Sequence, residues 1–413
     1  MSIHAGSILH VGGQNVIDRI QSAGLGGVRL TIETIRETGN REVVDKIPGE
    51  PDFTFTMESL DVSVETMAWL TGGYGAEASA SAPGASDPEG TSYDWLDCQF
   101  VNIASPWKDP ATGSAGVVEA GHLIPGYYPT RIRYRFGATD NSTQEVELSG
   151  GSFFYGEAAP VEQREAGDGA TTAFASDDPA IQYRRGGSTG STFRSIFGVL
   201  VDGQLQTEDV DYTLSGGAAD PGSTATVTFA EAPDNGADIR FCYFTSTSQD
   251  YPQPVHASTI VKPGAVRGRN IRVEIESSKI GGIQTFELEA TVEGEVEREL
   301  GTEEITGRSN TGTDCNGSMV VRAKDRDAFF DLLEAVTDVA RDEVFGWFND
   351  NTVDLQIKIE DPRDPGTILK TLRVEDAKFQ SPGTPARVNT PTDFSFNYES
   401  QSGTFKEYKG EPA

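Results

Sequence analysis

The sequence predicts a mainly β chain of α+β class: two similar β-sandwich or β-barrel domains, each with a flanking helix, and a third β-sandwich inserted between them. Three observations carry this. Apolar residues return at every second position in many short runs, the period of a half-buried strand. Gly reaches 46 residues and turn dipeptides punctuate the runs. The order of strands, one helix and then three strands occurs twice. A length of 413 residues suits two or three domains, placed at 1–160, 161–250 and 251–413.

In the first unit, Val28, Leu30 and Ile32 alternate with Arg29, Thr31 and Glu33, and Asp52-Phe-Thr-Phe-Thr-Met57 repeats the pattern. Between Val64 and Leu70 the spacing turns helical, with Gly72-Gly73 as a stop. Tyr74 to Thr91 is rich in Ala, Ser, Gly, Pro and acid, and reads as a long exposed loop. Strands resume at Tyr93 to Ile103, at Thr130 to Phe136 with Ile132, Tyr134 and Phe136 on one side, and at Gln144 to Tyr155.

Texture changes near Gly167. Short strands such as Val199 to Gln204, Asp209 to Leu214, Ala225 to Phe229 and Ala237 to Phe244 are separated by Asp-Gly and Asn-Gly turns, the pattern of a compact β-sandwich. After the Pro-containing stretch Tyr251 to Gly264, strands return at Ile271 to Ile275, Phe286 to Val296 and Ser318 to Arg322. Asp325 to Phe348 carries the best helical stripe, with Phe329, Leu332, Leu333, Val336, Val339 and Ala340 at spacings of three and four. Three strands follow, around Val353 to Ile359, Leu369 to Phe379 and Asp393 to Tyr398. The motif Asp52-Phe-Thr-Phe-Thr-Met-Glu-Ser59 is similar to Asp393-Phe-Ser-Phe-Asn-Tyr-Glu-Ser400, yet element order makes those two strands non-equivalent, so the duplication rests on order alone.

Charge narrows the function classes. There are 64 acidic against 33 basic residues, a formal net charge of -31, and no clustered Lys or Arg for phosphate or anionic lipid. Only ten of the basic residues are Lys, a balance that fits a high-salt host and an ordinary acidic protein alike. No apolar run reaches membrane-spanning length and the start lacks a basic segment followed by an apolar one. The expectation is a protein made and kept soluble, without export.

An enzyme needs convergent acid, base, nucleophile or metal groups, and few candidates arise. His4, His10, His122 and His256 have no His or Cys at ligand spacing, and Cys98, Cys242 and Cys315 read as small buried residues. Gly186-Gly-Ser-Thr-Gly-Ser-Thr192 lacks the Lys of a phosphate loop, and Gly24-Leu-Gly26-Gly27 lacks the dinucleotide register. Asp177-Asp178 and Asp361-Pro-Arg-Asp364 lack the alternating ligands of a calcium loop. Asn141 and Asn316 head glycosylation triplets. The expectation is no enzyme: no catalytic, metal or cofactor-binding residue, and no cofactor.

On these elements the chain resembles the major tail tube proteins of tailed phages and archaeal tailed viruses. The stretch from Arg269 to Tyr398, with Asp325 to Phe348 as flank helix, is similar to their tube domain element by element. Gly27 to Tyr155 resembles a second copy, and Gly167 to Phe244 an Ig-like decoration module. The resemblance implies edge-to-edge association into rings stacked as a tube in the virion tail, assembled in the host cytoplasm, with viral DNA passing through an acidic lumen without specific binding. A duplicated subunit implies trimeric rather than hexameric rings, with terminator and tip or baseplate proteins as further partners and no membrane. Tyr74 to Thr91 becomes a candidate arm to a neighbouring ring. The alternative is a virion fibre or carbohydrate-binding adhesin, with Trp95, Trp107, Tyr127 and Tyr128 as stacking aromatics.

Overall fold

The computed structural model describes residues 8–11, 15–17, 20–25, 29–35, 45–62, 91–92, 99–108, 115–150, 154–156, 158–184, 193–216, 223–247, 266–276, 278–298, 305–323, 334, 352–380, 392–403 and 405–411. The chain is mainly β and folds into several antiparallel sheets.

The first part holds β1 (Ile8–Val11), β2 (Asn15–Ile17), β3 (Ile20–Leu25), β4 (Arg29–Ile35), β5 (Asp45–Ser59), β6 (Thr91–Ser92), β7 (Gln99–Lys108), β8 (Ala115–Gly137), β9 (Thr143–Gly150) and β10 (Phe154–Gly156). The middle part holds β11 (Ala159–Ala166), β12 (Ala173–Ala175), β13 (Tyr183–Arg184), β14 (Phe193–Arg194), β15 (Ile196–Val201), β16 (Gln204–Leu205), β17 (Tyr212–Gly216), β18 (Ala225–Phe229) and β19 (Asp238–Thr245). The last part holds β20 (Ile271–Ile275), β21 (Ser278–Lys279), β22 (Ile283–Arg298), β23 (Ile305–Ala323), β24 (Val353–Asp361), β25 (Asp364–Phe379), β26 (Thr392–Ser400) and β27 (Phe405–Lys409).

The same order of pairings occurs twice. In the first part β2 pairs with β1, β1 with β7, β7 with β8, β8 with β9 and β10, β9 with β5, and β5 with β3 and β4. In the last part β21 pairs with β20, β20 with β24, β24 with β25, β25 with β26 and β27, β26 with β23, and β23 with β22. Strand β22 thus stands where β3 and β4 stand in the first part. The two look-alike motifs fall on β5 and β26, which hold different places in this order.

The two parts join through unlike elements. The C-terminal half of β8 pairs with β22, from Arg131↔Thr291 to Gly137↔Thr285. A second link pairs Lys406↔Ser92 between β27 and β6. One buried cluster runs through both parts and includes Phe55, Ile132, Tyr134, Val146, Phe286, Leu288, Met319, Ile357, Leu372 and Phe396. Strict alternation puts them there: β9 reads intermediate, buried, intermediate, buried along Thr143–Gly150, which directs Val146 and Leu148 inward and Glu145 and Glu147 outward. Burying each such large apolar side chain contributes about 1.5–3 kcal/mol.

The middle part is a sandwich of two sheets, β11-β19-β15-β16 and β12-β18-β17. Val199, Val227, Phe229, Ile239, Phe241 and Tyr243 fill the space between them. The opposite face of the larger sheet is also covered, because Phe197, Leu200, Cys242 and Phe244 pack on Leu123 and Tyr128 of β8 with Phe154 of β10. Burial on both faces is why β15 and β19 read as near-continuous apolar runs rather than alternating ones. Asp168 to Thr172, between β11 and β12, is a turn in which the Asp168 carboxylate accepts from the backbone N–H groups of Ala170 and Thr171.

Neither flanking helix is seen among the described residues. Val64 to Leu70 lies outside them, and of Asp325 to Phe348 only Glu334, helical and exposed, falls inside. The loop from Tyr74 lies outside them up to Gly90, as does Gly186 to Thr192.

Candidate functional site

The most organised polar surface is the outward face of the joined sheet β9-β8-β22. Because β8 faces the core with Ile132, Tyr134 and Phe136, it presents Arg131, Arg133 and Arg135 on the other side. Glu145 and Glu147 of β9 flank this row on one side, and Glu287 and Glu289 of β22 on the other. The result is a basic row between two acidic rows. Arg131 contacts Glu145 at 2.8 Å and Glu147 at 3.1 Å. Arg133 contacts Glu287 at 2.8 Å and Glu289 at 3.5 Å. Arg135 lies 3.7 Å from Glu145 and 3.6 Å from Glu287.

All seven side chains are partly exposed, so each pair contributes no more than about 0.2–1 kcal/mol and is screened by salt. The hydrogen bond to Glu287 raises the Arg133 guanidinium further above its usual value, with burial opposing and the nearby carboxylates adding to it. Every Arg here is committed to carboxylates, which leaves a surface that neither attracts a polyanion strongly nor exposes a stripe of bare acid. Outward-facing charge continues on β24, β25 and β27, where Arg373 pairs with Asp354 and Lys406 lies 2.9 Å from Glu375.

A second polar group sits inside the core. Lys370 of β25 and Glu407 of β27 are almost fully enclosed and form an ion pair at 2.6 Å. The Lys370 ammonium also donates to the hydroxyl of Tyr134, at 3.1 Å, and stands 5.0 Å from its ring centroid. Burial, and then the charge of Glu407, push the Tyr134 phenol well above its ordinary value. Because Tyr134 belongs to β8, the cluster ties the first part to the last. An ion pair this deep is costly to desolvate and is tolerated through its geometry.

Residues singled out in the sequence are scattered. His122 is buried on β8, 4.9 Å from the Tyr155 ring, and burial lowers its pKa. His10 lies on β1, and His4, His256 and Cys98 lie outside the described residues. Cys242 and Cys315 are buried thiols, and burial raises the Cys315 thiol far above its usual value. Asn141 accepts from Arg267 at 3.2 Å, while Asn316 donates to Asp314 at 3.3 Å. Asp361 pairs loosely with Arg363, and Asp364 accepts from Thr367. Among the described residues no group of three or more His, Cys, Asp or Glu is placed to share a metal ion, and no helix is long and apolar enough to cross a membrane.

Tyr127 and Tyr128, read as exposed aromatics, are both buried. Tyr127 faces the main core and Tyr128 the middle sandwich. Trp95 lies outside the described residues. The Arg row was visible in the alternation of β8, but its partners Glu287 and Glu289 are so far along the chain that nothing local signals them. No sequence signal marks Lys370 as buried.

No protein-family model matches the chain, and no curated protein matches it.

Proposed function

We propose that this chain is a structural virion protein, a tail tube subunit that forms rings stacked around a channel for viral DNA, and not an enzyme. The observation that carries this reading is the head-to-tail join of two parts with one pairing order. A join between unlike elements leaves each part with its other surface unused: the β3 and β4 side of the first part, and the β25 and β26 side of the last. Repeated contacts of this kind close into a ring when the rotation allows and otherwise run on as a filament. Three chains of two parts make a trimeric ring of pseudo-sixfold symmetry; six chains per ring is the hexameric alternative.

The outward face of β9-β8-β22 is the candidate channel surface. Four carboxylates and three arginines held in mutual contact give it a small negative balance, which lets a phosphate backbone pass without sticking. The middle sandwich, connecting the two parts, is the Ig-like decoration on the outside of the tube. The helix over Asp325 to Phe348 flanks the second tube domain. Terminator and tip or baseplate proteins cap the ends, and the assembly forms in the host cytoplasm and resides in the virion tail.

Negative-stain images of the purified protein test this. Hollow rings or tubes are expected; monomers or thin rods under conditions that preserve the fold refute it.

A further inference from the structure

Lys370 and Glu407 keep only 0% and 2% of their side-chain surface exposed, and the ammonium nitrogen stands 2.6 Å from a carboxylate oxygen. This approach is not aligned as a hydrogen bond; the Lys370 ammonium donates to the Tyr134 hydroxyl, at 3.1 Å. A nitrogen that close to a carboxyl oxygen, and off its hydrogen-bond direction, lies within about 3–3.5 Å of the carboxyl carbon, the spacing of a near-attack pair.

The register of the ladder sets this up. Lys370 stands opposite Lys409 and Leu372 opposite Glu407, so the two side chains share a face and meet on the diagonal, across a gap of about 7–8 Å that a Lys and a Glu span together. Their neighbours on that face, Leu372 and Phe405, are buried. Lys358 is the counter-case. It is held by Glu274 at 2.8 Å and by Glu411, which is 53% exposed, so water reaches the contact and it stays ionic.

We infer that Lys370 and Glu407 condense into an intramolecular amide, a covalent cross-link between β25 and β27. One proton passes from the ammonium to the carboxylate, giving a neutral amine and a carboxylic acid, the state that apolar surroundings favour over buried charge. The Nζ lone pair attacks Cδ of Glu407, the bond from Cδ to the acid hydroxyl breaks, and one water leaves per amide formed; nothing is oxidised or reduced. The Tyr134 hydroxyl, held at the attacking nitrogen, accepts the amine proton and returns its own to the departing hydroxyl. A site closed to water also removes the reverse reaction, hydrolysis. The amide fastens β27, a strand of five residues that also pairs with β6 of the first part, into the joint.

Intact mass spectrometry of the denatured full chain, followed by tryptic peptide mapping, tests this. Wild-type protein is expected to be lighter than its sequence mass by one water, with Asp364–Arg373 joined to Glu407–Lys409 and Lys370 resistant to trypsin. K370R keeps a cation but no amine able to lose its proton, and should show the full sequence mass. Y134F should form the cross-link more slowly, by roughly tenfold or more, a rate that a purely structural role for the hydroxyl would not change. Folded wild-type protein at full sequence mass with ordinary cleavage after Lys370 overturns the inference. So does a water lost elsewhere, as at Asp168-Gly169 or Asp202-Gly203, with Lys370 unmodified. The bond does not depend on how chains associate, so its absence leaves the tube reading untouched.

Discussion

The hydroxyl of Tyr134 on β8 lies 3.1 Å from the ammonium of Lys370 on β25, so a residue of the first part completes a buried ion pair of the last. The two parts are therefore joined through their core as well as through the β8–β22 ladder, and the joint has a polar key at its centre. K370M should lower unfolding free energy by about 3–5 kcal/mol, since Glu407 would keep a buried charge without its cation. Y134F should cost only about 1 kcal/mol. Urea unfolding of the two variants checks the ranking; equal losses would contradict it.

The charged face predicts a different scale. R133Q removes partly exposed pairs and should cost less than about 1 kcal/mol, an effect that fades as salt rises. R133E, which sets a carboxylate between Glu287 and Glu289, should cost more at low salt than R133Q. Thermal unfolding across a sodium chloride series measures both.

Gly317 is required by contact. A Cβ there would stand 2.1 Å from the Glu287 carbonyl and 2.3 Å from the Tyr398 hydroxyl, and that hydroxyl donates to the same carbonyl at 2.8 Å. G317A should destabilise by roughly 2–4 kcal/mol through overpacking and a broken buried hydrogen bond. G312A, which meets nothing within 4 Å, is the control and should be close to neutral in the same denaturation experiment.

His122 gives the pH dependence a sign. It is buried, neither ring nitrogen has a hydrogen-bond partner among the described residues, and burial lowers its pKa. The unfolded chain therefore binds a proton first as pH falls, so stability declines from about pH 6.5, the ordinary histidine value, and levels off below the folded value. H122L should flatten this part of the profile, measured as unfolding midpoint between pH 7.5 and 5.

Much of the β architecture was legible because alternation survives wherever one face of a strand meets solvent. Ile132, Tyr134 and Phe136 were placed on one side and all three are core residues. What failed has the same physical origin. Around Gly121 to Pro129, β8 is covered on one face by the main core and on the other by the middle sandwich, so alternation disappears and two buried tyrosines look like surface aromatics. The extent of β23 was underestimated because Gly307, Gly312 and Gly317 interrupt it. Strands β1 and β27 are short, and β1 gains its partner β7 and β27 its partner β6 from far along the chain. The Lys370 cluster is a purely tertiary feature, assembled from three strands across the joint.

The most direct measurement is the number of chains per ring, from class averages of the purified assembly together with its mass by light scattering. Three chains of 44.3 kDa around a hollow ring, with six similar inner lobes and three outer sandwiches, is the predicted result. A monomer, or an assembly without a central channel, would contradict it.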